Sequence, residues 1–272
     1  EIYTLSLHDA LPISSWLLGV FFLFAATFAL PCVGFAAQSD KSVTVFAAAS
    51  MTESMNKIAE LYKKVAPNVK IVYNFDSSGT LKTQIMEGAD CDVFISAGQK
   101  QMNEIEEKFV ASKTRFNIVS NKVVLIVPKG RNPKGINDFK DVVTDKVSLV
   151  ALGNSDVPVG QYSEEVYKHL GLWDKLNEMK KISFASNVKE VLAQVAAGAV
   201  DCGAVYSTDA ATSKEVEVVA EAPAGSHRPI VYPAAILKKA KDMKAAQDFV
   251  AFLKGDEAKK VFQSIGFSIP EK

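Results

Sequence analysis

The chain has 272 residues, with 31 Lys and Arg against 31 Asp and Glu. That length holds one large or two medium domains with an ample core. The even charge balance argues against a nucleic-acid-binding surface.

Residues 14–37 (SSWLLGVFFLFAATFALPCVGFAA) are an uncharged apolar run ending in small residues, after which the composition turns mixed and charged. This reads as a secretory signal peptide over 14–36, cleaved after Ala36, with Gly34 and Ala36 meeting the small-x-small rule. The rival reading is a retained anchor, for which the run is only marginally long enough. In place of a basic n-region stand residues 1–13 (EIYTLSLHDALPI), which resemble the translation of a sequencing-adapter oligonucleotide, so His8 and Asp9 are assigned no chemistry. Pro31 before Cys32 suits a lipoprotein acylation site poorly. Cys91 and Cys202 each precede a short apolar run and are expected to be separate buried thiols.

From residue 42 onward short β-branched runs alternate with helical periods. Residues 42–48 (SVTVFAA) predict a strand; Met51, Met55, Ile58 and Tyr62 then recur at helical spacing; 69–75 (VKIVYNF) is a second strand, Leu81, Ile85 and Met86 open a helix, and 92–96 (DVFIS) is a third strand. The run 116–128 (FNIVSNKVVLIVP) is too long for one ordinary buried strand and carries Ser120, Asn121 and Lys122 at its middle, so it is read as a crossing between lobes. A second unit follows, with strands at 147–152, 181–184 and 203–206 and helices around 162–170 and 188–197. Residues 228–237 (RPIVYPAAIL) form another extended run, and helices at 245–253 and 257–263 end the chain. This predicts an α/β protein of two doubly wound lobes joined by a two-strand hinge, with lobe I over 37–121, lobe II over 122–229 and a return to lobe I over 230–272. The stretches 87–93 (EGADCDV) and 197–203 (AGAVDCG) echo each other, which suggests a shared plan for the lobes.

Four strand-to-helix junctions carry hydroxyls or close-approach residues: Ala49-Ser50, Ser77-Ser78-Gly79-Thr80, Pro158-Val159-Gly160 and Ser186-Asn187-Val188. In doubly wound sheets such junctions lie where ligands bind, and helix N-termini there present free N–H groups and a positive dipole end, an anion site without formal charge. Taken singly, each has a plain structural reading. Ser50 with Glu53 fits a capping box, Ser186 an ordinary N-cap, and Tyr206 a buried tyrosine with a satisfied hydroxyl. His169 and His227 stand alone and are expected to be solvated. The sequence has no G-x-S-x-G elbow, Walker loop, G-x-G-x-x-G fingerprint, CxxC or HExxH.

Six stretches in order, 45–50 (VFAAAS), 75–81 (FDSSGTL), 92–99 (DVFISAGQ), 153–162 (GNSDVPVGQY), 204–210 (AVYSTDA) and 266–270 (GFSIP), resemble the periplasmic molybdate-binding proteins of ABC transporters. The resemblance implies a type II periplasmic-binding fold, no enzymatic activity and no cofactor beyond the ligand. It further implies an oxyanion, molybdate or tungstate, held by the Ser50 hydroxyl, the Ser78 hydroxyl and amide, the Val159 and Val188 amides and the Tyr206 hydroxyl, with no bare metal cation. A periplasmic monomer that meets an ABC-transporter permease at the membrane is expected. A site of donors alone suits a fully deprotonated dianion; hydrogen phosphate would bury an unpaired proton, and sulfate is too small to reach every donor. Asp76 beside this site is expected to face solvent. The rival readings are the same fold holding sulfate or another small anion, and a secreted serine hydrolase using Ser50 or Ser78.

Overall fold

A computed structural model describes residues 41–270; the segment 1–13, the signal sequence and Cys32 lie outside the described residues. The first sheet takes β1 (Lys41–Ala48), β2 (Val69–Asp76), β3 (Val93–Ile95) and β4 (Phe116–Ser120). The chain then builds a second sheet from β5 (Val123–Pro128), β6 (Val150–Gly153), β7 (Ile182–Ala185), β8 (Cys202–Tyr206) and β9 (Val216–Glu221), and returns to the first through β10 (Val231–Ile236). Helices α1 (Thr52–Val65), α2 (Ser78–Met86) and α3 (Gln99–Phe109) connect strands of the first lobe. In the second lobe lie α4 (Pro158–His169), α5 (Trp173–Glu178), α6 (Val188–Ala196) and α7 (Ser207–Ala211); α8 (Met243–Leu253) and α9 (Asp256–Ile265) end the chain against α1 and β1 of the first.

The sheets share one plan. Their orders are β2-β1-β3-β10-β4 and β7-β6-β8-β5-β9. In each, three strands run parallel, the fourth, supplied by a crossing segment, runs against them, and the edge strand is antiparallel to that fourth. The sequence echo falls at equivalent places: Gly88 and Gly198, both at positive φ, follow α2 and α6, and the chain then enters the central strands β3 and β8. Only glycine takes that left-handed backbone without strain.

Hydrophobic periodicity explains the packing. Met51, Met55, Ile58 and Tyr62 are all buried, so the stripe read at helical spacing is the face α1 turns to the sheet. Tyr62 meets Phe249 of α8 edge-on at 5.0 Å, which ties α8 to α1. The run 116–128 breaks at Asn121-Lys122 into β4 and β5, one in each sheet. There the Asn121 N–H donates to the Ile230 carbonyl at 3.1 Å, so the two crossings lie side by side. The elements that the sequence reading did not anticipate are short or exposed, among them α5, α7, the 3₁₀ turn Phe139–Val143 and the largely exposed edge strand β9. Cys91 and Cys202 are buried and unpaired.

Candidate functional site

The parallel strands of both sheets end at one interlobe cavity. Ser50 follows β1, Ser78 follows β2, Val159 follows β6, Val188 follows β7 and Tyr206 ends β8. All five predicted residues line this cavity. Among the described residues no Lys, Arg or His lines it, and Asp76 is the carboxylate at it.

Each junction frees a donor for a local reason. At α2, Ser77 is the N-cap and its hydroxyl accepts from the Thr80 N–H at 3.1 Å, which leaves the Ser78 amide unclaimed. The Ser78 hydroxyl accepts from the Ala97 N–H at 2.9 Å, so its own proton is free to point elsewhere. At α4, Pro158 occupies the first position and has no N–H, and Val159 supplies the first free amide. At α6, the Asn187 side chain caps the Glu190 N–H at 3.0 Å and leaves Val188 N–H free. Ser186 is therefore not the N-cap: its N–H and hydroxyl both donate to the Glu190 carboxylate, at 2.6 and 2.7 Å.

The two side-chain hydroxyls differ from their plain readings. Tyr206 is fully buried and its hydroxyl has no hydrogen-bond partner, an expensive state unless a guest supplies one. Burial pushes this phenol well above its ordinary pKa, so it stays a donor. Ser50 forms no capping box. Its hydroxyl lies 3.0 Å from that of Tyr232, which also accepts from Asn121 Nδ2 at 3.3 Å. The Lys122 N–H fixes the Asn121 amide by donating to its Oδ1 at 2.9 Å. Asn121 thus donates to Tyr232, whose own proton can go to Ser50; with that orientation the Ser50 proton is free for the cavity. Tyr232 and Asn121 are members of the site that the sequence did not single out; the only signal was polar Asn121 inside an apolar run.

Glu53, freed from the capping box, reaches across the cleft. Lys189 of α6 donates to its two carboxylate oxygens at 2.8 and 2.9 Å and lies 3.1 Å from the buried carboxylate of Asp209. Burial works against the Lys189 charge, but Asp209 and Glu53 outweigh it and raise its pKa. Burial drives Asp209 up to about 6, with Lys189 pulling the other way.

Asp76, expected to face solvent, is half-buried and turned to the cavity. It ends β2 at the cavity, where its Oδ1 accepts from the Ser77 N–H at 2.7 Å and from Asn187 Nδ2 across the cleft at 3.3 Å. His169 is exposed at the end of α4. His227 is partly exposed, its ring 5.8 Å from that of Tyr162.

Two lobes of one plan, closed on a cavity at their strand ends, define a solute-binding protein, and the comparisons with known proteins agree. The chain belongs to the family described as bacterial extracellular solute-binding protein, whose model matches residues 43–268. It is 40% identical over 240 residues to the molybdate-binding protein ModA of Haemophilus influenzae, covering 87% of this chain and 93% of that one. Among solved structures, the substrate-binding domain of a putative molybdenum ABC transporter from Clostridium difficile matches at 42% identity and a TM-score of 0.65, over 85% of this chain and 99% of that one. The periplasmic molybdate-binding protein of Azotobacter vinelandii matches at 26% and 0.76, over 84% and 100%.

Proposed function

We propose that this protein captures molybdate or tungstate between its lobes, outside the cytoplasmic membrane, and presents it as a monomer to an ABC-type importer. The observation that carries this reading is the cavity itself, where neutral donors from both lobes converge and the buried Tyr206 hydroxyl has no partner. The names of the relatives supply the guest; the geometry supplies the reason it suits. The cavity is small, with about 10 Å³ open to water-sized spheres, which leaves no place for a bulky organic solute.

Neutral dipoles take the place of cations here. Helix N-termini and hydroxyls offer fixed dipoles, and hydrogen bonds to a charged acceptor contribute about 1.5–3 kcal/mol each, so a handful supports tight binding after the ordering costs. Lobe I contributes Ser50 and Ser78, lobe II contributes Val159, Val188 and Tyr206, and only the closed state satisfies both sets.

Asp76 gives phosphate a specific place in the test, because a carboxylate at the rim is an acceptor that a protonated anion needs and a full dianion does not. Calorimetry with molybdate, tungstate, sulfate and phosphate decides. The expected result is tight binding of the first two and weak binding of the others. Sulfate or phosphate binding tighter than molybdate would overturn the assignment, and phosphate preference lost in Asp76→Asn would reassign the site to a protonated anion.

A further inference from the structure

Gly79 is buried in the first turn of α2, in an ordinary helical backbone that any residue adopts. The three atoms nearest to a Cβ placed there all belong to Asp156, and glycine in a helix is poorer than alanine. The requirement comes from the other lobe. A Cβ on Gly79 would fall 2.2 Å from the carbonyl oxygen of Asp156 and 2.9 Å from the Asp156 Cβ. Asp156 lies in the turn between β6 and α4, two residues before the Pro158 that opens α4. This turn has little room to retreat. The Asp156 N–H donates to Asn154 Oδ1 at 2.9 Å and the Val157 N–H to the Asn154 carbonyl at 3.0 Å.

Resting on the cleft reading above, we infer that Gly79 is a closure-determining residue: it touches no guest, but its missing methyl lets the β6–α4 turn seat against α2 and so brings the Val159 amide to the cavity. An open cleft imposes no such demand, so the glycine matters to the closed state alone. Gly160 supplies the contrast. A Cβ there would fall equally close, 2.2 Å, to the Gly153 carbonyl, but both residues belong to lobe II. Gly160→Ala therefore strains a lobe whether the cleft is open or closed, whereas Gly79→Ala strains only closure.

The test measures molybdate affinity by calorimetry and ligand-free Tm for wild type, Gly79→Ala and Gly160→Ala. For Gly79→Ala the expected result is an affinity loss of about ten- to hundredfold, the range that forcing a methyl into a packed contact produces, with a ligand-free Tm no lower than wild type. Gly160→Ala is expected to lower the ligand-free Tm. An affinity for Gly79→Ala within threefold of wild type overturns this inference and leaves the binding site standing. So does a ligand-free Tm depressed as far as that of Gly160→Ala, which would place the need for glycine inside lobe I. Wild type that binds no anion at all sinks the site and this inference together.

Discussion

At the scale of single residues, Tyr206 and Ser78 offer the cavity the same chemical group from opposite circumstances. The Tyr206 hydroxyl is buried with no partner, so Tyr206→Phe removes a donor that only a guest would use. Affinity for molybdate should fall by about 1.5–3 kcal/mol, while the ligand-free protein, relieved of an unsatisfied polar atom, should melt no earlier than wild type. Ser78 also serves the fold, because its hydroxyl accepts from the Ala97 N–H. Ser78→Ala should weaken binding by about 1–3 kcal/mol and, by stranding a buried N–H, destabilise the ligand-free protein by a similar amount. Calorimetry and urea unfolding on both variants measure the two effects separately. Equal destabilisation of the ligand-free protein by both changes would contradict this account of Tyr206, and an affinity change below about 0.3 kcal/mol for Ser78→Ala, a small fraction of one such bond, would remove Ser78 from the site.

At the scale of elements, α6 joins folding to binding at its first residue. Asn187 caps the helix through the Glu190 N–H and also reaches Asp76 in the other lobe, so Asn187→Ala should cost about 0.5–2 kcal/mol of ligand-free stability as a lost cap and weaken molybdate binding as well, because the Val188 amide loses its fixed direction. Thermal melts with and without molybdate separate the two; a variant that melts early but binds like wild type would confine Asn187 to helix capping. The position of this helix was legible in the sequence, as were the main strands and the apolar face of α1, because period and β-branching are local signals. The junction residues were legible for a topological reason, since alternating strands and helices fix which loops lie at the carboxyl ends. What was not legible depends on distant partners. Ser50 and Glu53 have capping-box spacing, yet Ser50 pairs with Tyr232, 182 positions away, and Glu53 with Lys189, 136 away. Local spacing proposes a cap, and tertiary contacts override it. Asp76 was misjudged for the same reason, because its cross-cleft donor Asn187 is 111 positions away.

At the scale of the whole molecule, Asp209, Lys189 and Glu53 link the buried interior of lobe II to the surface of lobe I. Asp209 is the fully buried member, and burial raises its pKa to about 6 against an ordinary carboxylate value of about 3.9. A folded-state pKa above the unfolded one means the native protein binds the proton more tightly. The contribution of this group to stability is therefore complete below the ordinary carboxylate range and is lost as pH rises through about 6. Asp141, Glu190 and Asp242 act in the opposite sense, since burial at Asp141 is outweighed by backbone N–H donors and Lys146, and backbone N–H donors dominate at Glu190 and Asp242, holding all three below their usual range. Their effect is common to wild type and to Asp209→Asn, so the difference between the two pH profiles isolates Asp209. Urea midpoints measured from pH 4 to pH 8 should show wild type losing ground relative to Asp209→Asn as the pH climbs through the window between the two pKa values, with the difference levelling off above it. Parallel profiles across that window would mean that Lys189 stabilises the Asp209 carboxylate enough to cancel its burial, and the buried pair would then act as a fixed ion pair rather than a proton-sensitive one.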